Sequence, residues 1–301
     1  MAEFKFSNSK REMEVYGYDA VVKSHCRMCH GGCGVLVYTK NGKVAKIAGD
    51  PDCPINHGTV CSKGLASAQL AYHPERLTHP VRRIGPKGSG RWERISWDDA
   101  LDTIAAKMLD YKSRLGAEAI VMGYGTGREN EAVIYRFANL LGTPNVLTAG
   151  HFCYGPRIAT SIITCGSNPI VDYENHPKCI MVWGNNLVIS NPDCYKGEPF
   201  SVSLNRGAKL IAVDPRLTRI AARADIWLQL RPGTDTALAL WLLNVIVIEE
   251  LYDQYFVKNH VYGWESFVDR VNQYPPEKVE NITRVPRDKI IEAARLFAAT
   301  K

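Results

Sequence analysis

The distribution of apolar and polar residues divides the chain into a short first part and a longer second part. In the first part, the short apolar or alternating segments 35–38 and 44–50 are joined by Asn41-Gly42, a dipeptide that favours a tight β-hairpin turn. We therefore predict a small antiparallel sheet here. So small a unit buries little core, and a bound metal centre would supply the missing cross-link.

The second part alternates between apolar strands and amphipathic helices. Residues 178–183, 209–213 and 226–230 are apolar on both faces, which is typical of strands in a parallel sheet. Ser96 is a natural N-cap for a helix that runs to about Arg114. Together these patterns predict an α/β protein in which a small antiparallel domain is followed by doubly wound, Rossmann-like α/β domains. Further helices are predicted at about 129–141, 235–251, 265–272 and 287–299.

Composition and charge narrow the class of protein. A chain of 301 residues has room for about two domains, and its 46% hydrophobic and 23% charged content is that of a globular protein. The 37 basic and 31 acidic residues are well mixed, so we expect no nucleic-acid partner. The polar first 25 residues show neither a Sec nor a Tat signal, and the apolar run 237–248 is too short to span a bilayer. We expect a cytoplasmic protein with no direct membrane span.

Four of the nine cysteines form one group in the order C-x2-C-x3-C, followed after a loop by C-x-K-G. Thiolates in this arrangement suit a zinc ion or an iron–sulfur cluster. The sequence from the first cysteine to His30 also matches the attachment motif of c-type haem, although haem leaves the third cysteine unexplained. We interpret Cys53 as a bystander. The four grouped thiols are Cys26, Cys29, Cys33 and Cys61.

Polar turns follow the three predicted parallel strands. Since ligands of such sheets bind where the strands end, these turns should lie side by side at one edge. Glycines there give backbone freedom for phosphates, and carboxylates can accept hydrogen bonds from a guanine edge. The turns therefore predict a nucleotide site. Its candidate residues are Gly184, Asn185, Asp214, Arg216, Gly233 and Asp235.

Cys153 lies in a loop directly before a predicted helix that begins near Pro156. Because a helix N-terminus carries partial positive charge, it favours the thiolate over the thiol. The residues alone leave two interpretations open, a metal ligand or a buried loop cysteine. We interpret Cys165, Cys179 and Cys194 as ordinary apolar residues.

Several motifs in the same order resemble the N-terminal portion of the DMSO reductase family of molybdopterin oxidoreductases. They are the four-thiol pattern ending in Cys61-Ser62-Lys63-Gly64, the segment Arg76-Leu77-Thr78-His79-Pro80, and the Trp-x-x-Ile-Ser-Trp-Asp segment at 92–98. The resemblance covers nearly the whole chain. The sequence of these motifs is most similar to that of the acetylene hydratase and dehydroxylase-like branch of the family.

This resemblance implies three cofactor components. The four thiols would hold a 4Fe–4S cluster, and the strand-end residues would hold one arm of a bis-molybdopterin guanine dinucleotide (bis-MGD). Cys153 would bind molybdenum or tungsten, with His151 and Tyr154 beside it. Lys63 would lie between the cluster and the pterin, where it would serve catalysis and cofactor binding.

The resemblance also implies the function and its setting. The chain would be the N-terminal part of a catalytic subunit, passing electrons between a small substrate at the metal and the cluster, with a redox partner or iron–sulfur subunit beyond it. The rest of that subunit would be missing. Tyr154 replaces the His of formate dehydrogenases and His30 replaces the Asp of the hydratase, so we favour a reductase. A hydratase or dehydroxylase and a non-catalytic electron-transfer subunit are the alternatives.

The expected domains follow from the same resemblance. They are an N-terminal extension (1–22), the cluster domain (23–80), the first part of a second domain (81–148) and an incomplete MGD-binding domain (149–301).

Overall fold

The chain forms two compact units in its computed structural model. One unit combines Met1–Tyr72 with Asp172–Lys301, and the other is His73–Val171. The predicted domain boundaries at 80/81 and 148/149 stay predictions. The residues described are 11–29, 31–125, 130–151, 153, 155–173, 175–190 and 196–300.

The first unit opens with a three-stranded antiparallel sheet in the order β1-β2-β3. The strands are β1 (Ala20–His25), β2 (Gly34–Lys40) and β3 (Lys43–Gly49). Asn41 and Gly42 adopt positive φ angles of 52° and 70°, as a two-residue hairpin turn requires. The small antiparallel sheet predicted from the sequence is therefore confirmed.

Short helices flank this sheet. Residues 11–16 form helix α1, while α2 (Ser62–Leu65) and α3 (Ser67–Ala71) contact β3. The predicted boundary between residues 22 and 23 falls inside β1, because that strand pairs with β2 from Ala20 onward.

A parallel sheet forms the centre of the rest of this unit. Its order is β10-β9-β8, with strands β8 (Cys179–Trp183), β9 (Lys209–Val213) and β10 (Ile226–Leu228). Ile211 and Leu228 are completely buried, since helices cover the sheet. The parallel arrangement confirms the predicted α/β class.

Seven helices of the first unit accompany this sheet. The long helix α9 is apolar all round and buries Leu238 and Trp241 in the core, which agrees with its interpretation as a buried helix. Its N-cap is Thr234, although the Thr234 hydroxyl donates to the Arg231 carbonyl rather than capping the helix. None of the described helices is both long and apolar enough to cross a bilayer. The seven are α7 (Leu187–Ser190), α8 (Gly197–Asn205), α9 (Asp235–Ile248), α10 (Gln254–His260), α11 (Trp264–Asn272), α12 (Pro276–Thr283) and α13 (Arg287–Ala299).

The second unit contains an antiparallel strand pair, a parallel strand pair and three helices. As predicted, the Ser96 hydroxyl caps the long helix by accepting a hydrogen bond of 3.0 Å from Asp99 N. Apolar side chains of that helix, Leu101 and Ile104 among them, are more than half exposed. The elements are β4 (Val81–Arg83), β5 (Trp92–Arg94), α4 (Trp97–Leu115), β6 (Met122–Tyr124), α5 (Glu131–Leu141), β7 (Val146–Thr148) and α6 (Gly155–Cys165).

Candidate functional site

The first three grouped thiols lie on the loop that joins β1 to β2. The loop is closed at its base, where Cys26 N donates to Cys33 O at 2.8 Å. Gly31 N donates to Cys29 Sγ at 3.4 Å, a contact suited to a sulfur that carries negative charge. Cys33 is buried at 4% exposure, whereas Cys26 and Cys29 are half-buried. His30 lies outside the described residues.

The fourth thiol, Cys61, occupies the N-cap position of α2. A Cβ atom added to Gly64, in the same helix, would lie 2.4 Å from Val60 Cγ1 and 3.3 Å from Cys26 Sγ. The first thiol of the loop therefore lies directly against the helix that begins after Cys61. Because no Cβ fits in this gap, the glycine of the C-x-K-G motif has a steric explanation.

None of the four thiols is joined in a disulfide, so each is available as a metal ligand. In the part of the chain that the structure describes, no three His, Cys, Asp or Glu side chains converge as ligands of a single ion. A tetrahedral zinc site, with Zn–S bonds of about 2.3 Å, would draw four sulfurs to one point. A 4Fe–4S cluster also takes four thiolates, so the residue types alone suit either group.

Cys53 is a fifth thiol close to this loop. Its side chain lies against the backbone of Gly34, where an added Cβ would come within 2.7 Å of Cys53 Sγ. Burial acts to raise the pKa of this thiol, but hydrogen bonds from the backbone of Ile55, Asn56 and Gly34 outweigh it and hold the pKa below its usual value. Cys53 is therefore more acidic than an ordinary cysteine.

Lys63 joins the cluster loop to the second sheet of the same unit. Its ammonium donates a hydrogen bond of 3.1 Å to the carbonyl of Ser190, the last residue of α7. A second link, from the Thr59 hydroxyl to Glu198, has a length of 2.9 Å. Lys63 therefore connects the helix that follows Cys61 to the segment that follows β8, and its location between two cofactors stays a prediction.

The predicted strand-end turns lie side by side at the carboxyl edge of the parallel sheet. Gly184 N donates to Val213 O at 2.8 Å, which connects the turn after β8 to the end of β9. Arg216 N donates to Asp214 Oδ1 at 2.8 Å, so this carboxylate shapes its own turn. All six candidates are at least partly exposed at this edge, where they are accessible to a ligand: Gly184, Asn185, Asp214, Arg216, Gly233 and Asp235.

Two aromatic residues at this edge were not among the sequence-based candidates. Trp183 Nε1 donates to Asp235 Oδ1 at 2.8 Å, and Trp227 Nε1 donates to Asp214 O at 2.9 Å. Each indole fixes a turn that contains a predicted carboxylate. The sequence showed only apolar strand residues at these positions, so their hydrogen bonds could not be foreseen.

Asn186 is a further polar residue of this edge. Its backbone carbonyl starts α7 by accepting from Ile189 N and Ser190 N, both at 2.9 Å. Its side-chain oxygen is buried and accepts no hydrogen bond from any residue that the structure describes. Such an orphaned acceptor costs about 1–3 kcal/mol unless a donor reaches it. A bound ligand with N–H or O–H groups would satisfy this atom.

The predicted metal ligand belongs to the second unit. Cys153 is exposed and lies between the short helical turn Ala149–His151 and α6, which begins at Gly155. His151 is also exposed, and its ring nitrogen Nδ1 accepts a hydrogen bond of 3.4 Å from Thr148 N. Tyr154, the residue after Cys153, lies outside the described residues. Within this unit, His151 and Cys153 are thus close in sequence on an exposed turn.

The remaining cysteines differ in their surroundings. Burial, followed by the negative charge of Asp225, raises the pKa of the Cys179 thiol, while the Thr300 hydroxyl opposes the shift. Cys179 is therefore a less reactive thiol at the amino end of β8, in agreement with its interpretation as an ordinary apolar residue. Cys165 is exposed rather than packed in a core. Cys194 lies outside the described residues.

Comparison with known sequences identifies the family. The profile described as molybdopterin oxidoreductase matches residues 76–295. The profile of the molybdopterin oxidoreductase Fe4S4 domain matches residues 19–73. The chain belongs to the molybdopterin oxidoreductase family.

Individual relatives of this molybdopterin oxidoreductase have several activities. Acetylene hydratase of Syntrophotalea acetylenica is 37% identical over 278 residues, which are 91% of this chain and 38% of the hydratase. Dopamine dehydroxylase of Eggerthella lenta is 39% identical over 252 residues, 81% of this chain and 24% of the dehydroxylase. The molybdopterin-containing subunit of Salmonella typhimurium thiosulfate reductase is 30% identical over 287 residues, 95% of this chain and 37% of that subunit. The chain thus spans well under half the length of these relatives.

A solved structure has the same fold. Acetylene hydratase from Pelobacter acetylenicus matches with a TM-score of 0.74 at 35% sequence identity, covering 93% of this chain and 39% of the hydratase. This agreement confirms the small antiparallel sheet followed by parallel α/β sheets. It also agrees with the branch of the family that the sequence motifs resemble.

Family membership implies a 4Fe–4S cluster and a molybdenum- or tungsten-pterin cofactor. The residues present fit both groups. On the cluster side, Cys26 Sγ lies in the Cβ-free gap at Gly64, beside the helix that Cys61 begins. On the pterin side, exposed turns follow the parallel strands, and Asn186 after β8 has a buried side-chain oxygen with no hydrogen-bond partner among the described residues.

Proposed function

We propose that this molybdopterin oxidoreductase chain is part of a catalytic subunit that passes electrons between a small substrate, bound at molybdenum or tungsten, and a 4Fe–4S cluster. The observation that carries this proposal is the hydrogen bond from Lys63 to Ser190 O, because it joins the four-thiol loop to the carboxyl edge of the parallel sheet within one compact unit. The metal, when bound, supplies the redox chemistry, and the cluster supplies a path for electrons.

The cluster ligands in this proposal are the four thiolates. Their support is the closure of the loop between Cys26 and Cys33 and the contact of Cys26 with the C-x-K-G helix. Lys63 places a fixed positive charge beside them. Such a charge stabilises an added electron on the cluster and offers donors to a pterin. The four ligands are Cys26, Cys29, Cys33 and Cys61.

The strand-end residues bind one guanine dinucleotide arm of bis-MGD in this proposal. Gly184 and Gly233 have φ angles of 58° and 83°, so each turn brings bare backbone to the edge where phosphates would lie. Asp214 and Asp235 are acceptors for the N–H groups of guanine. Arg216 and Asn185 provide donors for phosphate and ribose oxygens.

Cys153 is proposed as the protein ligand of the metal, with His151 and Tyr154 as neighbouring groups that orient substrate or move a proton. The support is its exposed location just before the N-terminus of α6, where the thiol is accessible to a metal. In a full-length subunit, Cys153→Ser should lower bound molybdenum or tungsten and abolish turnover. Unchanged metal content and turnover would remove Cys153 from the metal.

We propose a reduction as the reaction of the whole enzyme, with a small molecule as substrate. Relatives named thiosulfate reductase and nitrate reductase, at 30% and 32% identity, support this direction. A hydratase or dehydroxylase is the second candidate. It is favoured by the higher identities to acetylene hydratase and dopamine dehydroxylase, 37% and 39%.

Electrons would be exchanged with a redox protein or an iron–sulfur subunit in the cytoplasm. Exposed apolar residues near the cluster loop, Ile55, Leu65 and Leu70, support a partner on this side.

The chain's retention of pterin tests the proposal. We would purify it from a bacterial host that makes bis-MGD, release the nucleotide with acid, and quantify guanosine monophosphate together with molybdenum and tungsten. The proposal predicts guanine nucleotide in the wild-type chain and much less in Asp214→Ala. Wild-type protein with no nucleotide, from a host that loads other pterin enzymes, would contradict it.

A further inference from the structure

Asn56 is the most deeply buried polar side chain near the cluster loop. It is 1% exposed, although it belongs to an irregular segment between β3 and α2. Its amide group makes three hydrogen bonds, all to backbone atoms. A buried amide with every bond directed at the backbone holds chain segments in place, since it cannot reorient without losing several bonds at once.

Two of these bonds hold Gly34. Gly34 N donates to Asn56 Oδ1 at 2.8 Å, and Asn56 Nδ2 donates to Gly34 O at 2.9 Å. The amide thus pairs with both backbone groups of Gly34, as a neighbouring strand would. Gly34 directly follows Cys33, the third thiol of the loop, so Asn56 fixes the backbone from which the Cys33 side chain extends.

The third bond holds the segment that leads to the fourth thiol. Asn56 Nδ2 donates to Thr59 O at 2.8 Å, two residues before Cys61. In return, Thr59 N donates to Asn56 O at 2.7 Å. His57 and Gly58, between them, adopt positive φ angles of 44° and 86°. The result is a tight turn whose shape depends on residue 56.

We infer that Asn56 is a positioning residue for the 4Fe–4S cluster, one that sets the separation between the Cys33 and Cys61 thiolates. The inference rests on the proposed role of these thiols as cluster ligands. The three bonds need one acceptor and two donors on the same planar group. Aspartate has no donor, and leucine, of similar shape, has neither donor nor acceptor.

The inference predicts a specific loss when the amide is changed. Without the bonds to Thr59 O and Gly34 O, the two segments separate and water reaches the cluster. Outer groups that orient metal ligands typically contribute 10–100-fold to metal affinity, so we expect Asn56→Leu to lose iron to a chelator about tenfold faster than wild type. Asn56→Asp keeps an acceptor for Gly34 N and should also lose iron faster.

Asn244 provides a matched control. It is likewise a buried asparagine, 3% exposed, and its Nδ2 donates to Val271 O and Asn272 Oδ1 at 3.3 Å. It belongs to α9, whose neighbours are helices rather than the thiol loop. Asn244→Leu should lower thermal stability without changing the cluster.

The experiment compares full-length chains loaded anaerobically with iron and sulfide. For each variant we would record iron loss to a chelator, the electron paramagnetic resonance spectrum of the reduced cluster and its midpoint potential, at a temperature where all are folded. The inference expects faster iron loss and an altered spectrum or potential in both Asn56 variants, and wild-type behaviour in Asn244→Leu.

Two other results would overturn the inference, and they differ in meaning. Wild-type iron loss, spectrum and potential in the Asn56 variants would remove Asn56 from cluster positioning while leaving the proposed function intact. Failure of the wild-type chain to take up any cluster would overturn the proposed function and this inference with it. If Asn56→Leu does not fold, the result rests on Asn56→Asp.

Discussion

The indole nitrogen of Trp183 donates a hydrogen bond of 2.8 Å to a carboxylate oxygen of Asp235, joining the end of β8 to the start of α9 across 52 residues. This bond holds one oxygen of Asp235 and so restricts rotation of the carboxylate. The second oxygen is not needed by the indole.

Nucleotide binding should depend on this carboxylate. We expect Asp235→Ala to bind guanosine diphosphate at least about tenfold more weakly than wild type, a loss of about 1.4 kcal/mol, because a guanine acceptor is removed. Titration calorimetry on the pterin-free chain measures this. Asp288→Ala is the control, since Asp288 is also in the first turn of a helix, α13. Equal affinities for wild type and Asp235→Ala would exclude this role.

Gly64 should tolerate no side chain. An added methyl group would lie 2.4 Å from Val60 Cγ1 and 3.3 Å from Cys26 Sγ, so Gly64→Ala should cost about 1–3 kcal/mol of stability through overpacking. It should also displace the first thiol and lower iron uptake. Urea unfolding and iron analysis check both effects. Gly125→Ala serves as the control, because nothing lies within 4 Å of its Cβ position; normal iron uptake by Gly64→Ala would show that the contact with Cys26 is unimportant.

Acid should weaken the attachment of β10 to β9. The Asp225 carboxylate accepts hydrogen bonds from Lys209 Nζ at 2.7 Å and from Leu210 N at 2.8 Å, and these contacts lower its pKa below 3.8. A lowered pKa contributes stability above the unfolded-state value, and this contribution is lost as the pH falls through the folded-state pKa. Asp225→Asn should therefore reduce the free energy of unfolding at pH 7, with the difference shrinking as the pH falls through the folded-state pKa of Asp225.

Denaturant unfolding at several pH values tests the behaviour of Asp225. The control is Asp102→Asn, since Asp102 is exposed on α4. A difference between wild type and Asp225→Asn that stays constant from pH 7 to acid would show that charge pairing is not the cause.

Cys53 should be alkylated more readily than Cys179 once the cluster is bound. Burial raises the pKa of Cys53, but the surrounding backbone N–H groups lower it further, whereas burial raises the pKa of Cys179. On the cluster-loaded chain, iodoacetamide near neutral pH should label Cys53 before Cys179, as mass spectrometry can show. Protection of Cys53 together with labelling of Cys61 would mean that Cys53, and not Cys61, is the fourth cluster ligand.

The sheets and the edge of the candidate site could be predicted because their signals are local. Asn41-Gly42 specifies its hairpin, and the runs ending at Trp183 and Val213 are short, apolar and followed by polar turns. The carboxyl ends of parallel strands lie at the same edge of a sheet, so the turns that follow them lie there too. The fold class and the location of six candidate residues follow from these patterns.

The remaining features depend on contacts that sequence patterns do not encode. Asn56 reaches Gly34 across 22 residues, and Lys63 reaches Ser190 across 127. The short helices Gln254–His260 and Pro276–Thr283 were not predicted, because segments of 7 and 8 residues are too short to show a clear helical period. A segment rich in Asn, Gly and Pro is predicted as a loop from its sequence. Its composition does not show which hydrogen bonds its side chains make.

The central claim is that Cys26, Cys29, Cys33 and Cys61 bind a 4Fe–4S cluster, and metal stoichiometry tests it most directly. We would measure iron, acid-labile sulfide and zinc in the anaerobically purified wild-type chain and in the Cys61→Ser and Cys165→Ser variants. The account predicts about four iron and four sulfide per wild-type chain, with broad absorption near 400 nm. It also predicts a clear loss in Cys61→Ser and none in Cys165→Ser. About one zinc per chain without iron, or full iron in Cys61→Ser, would contradict it.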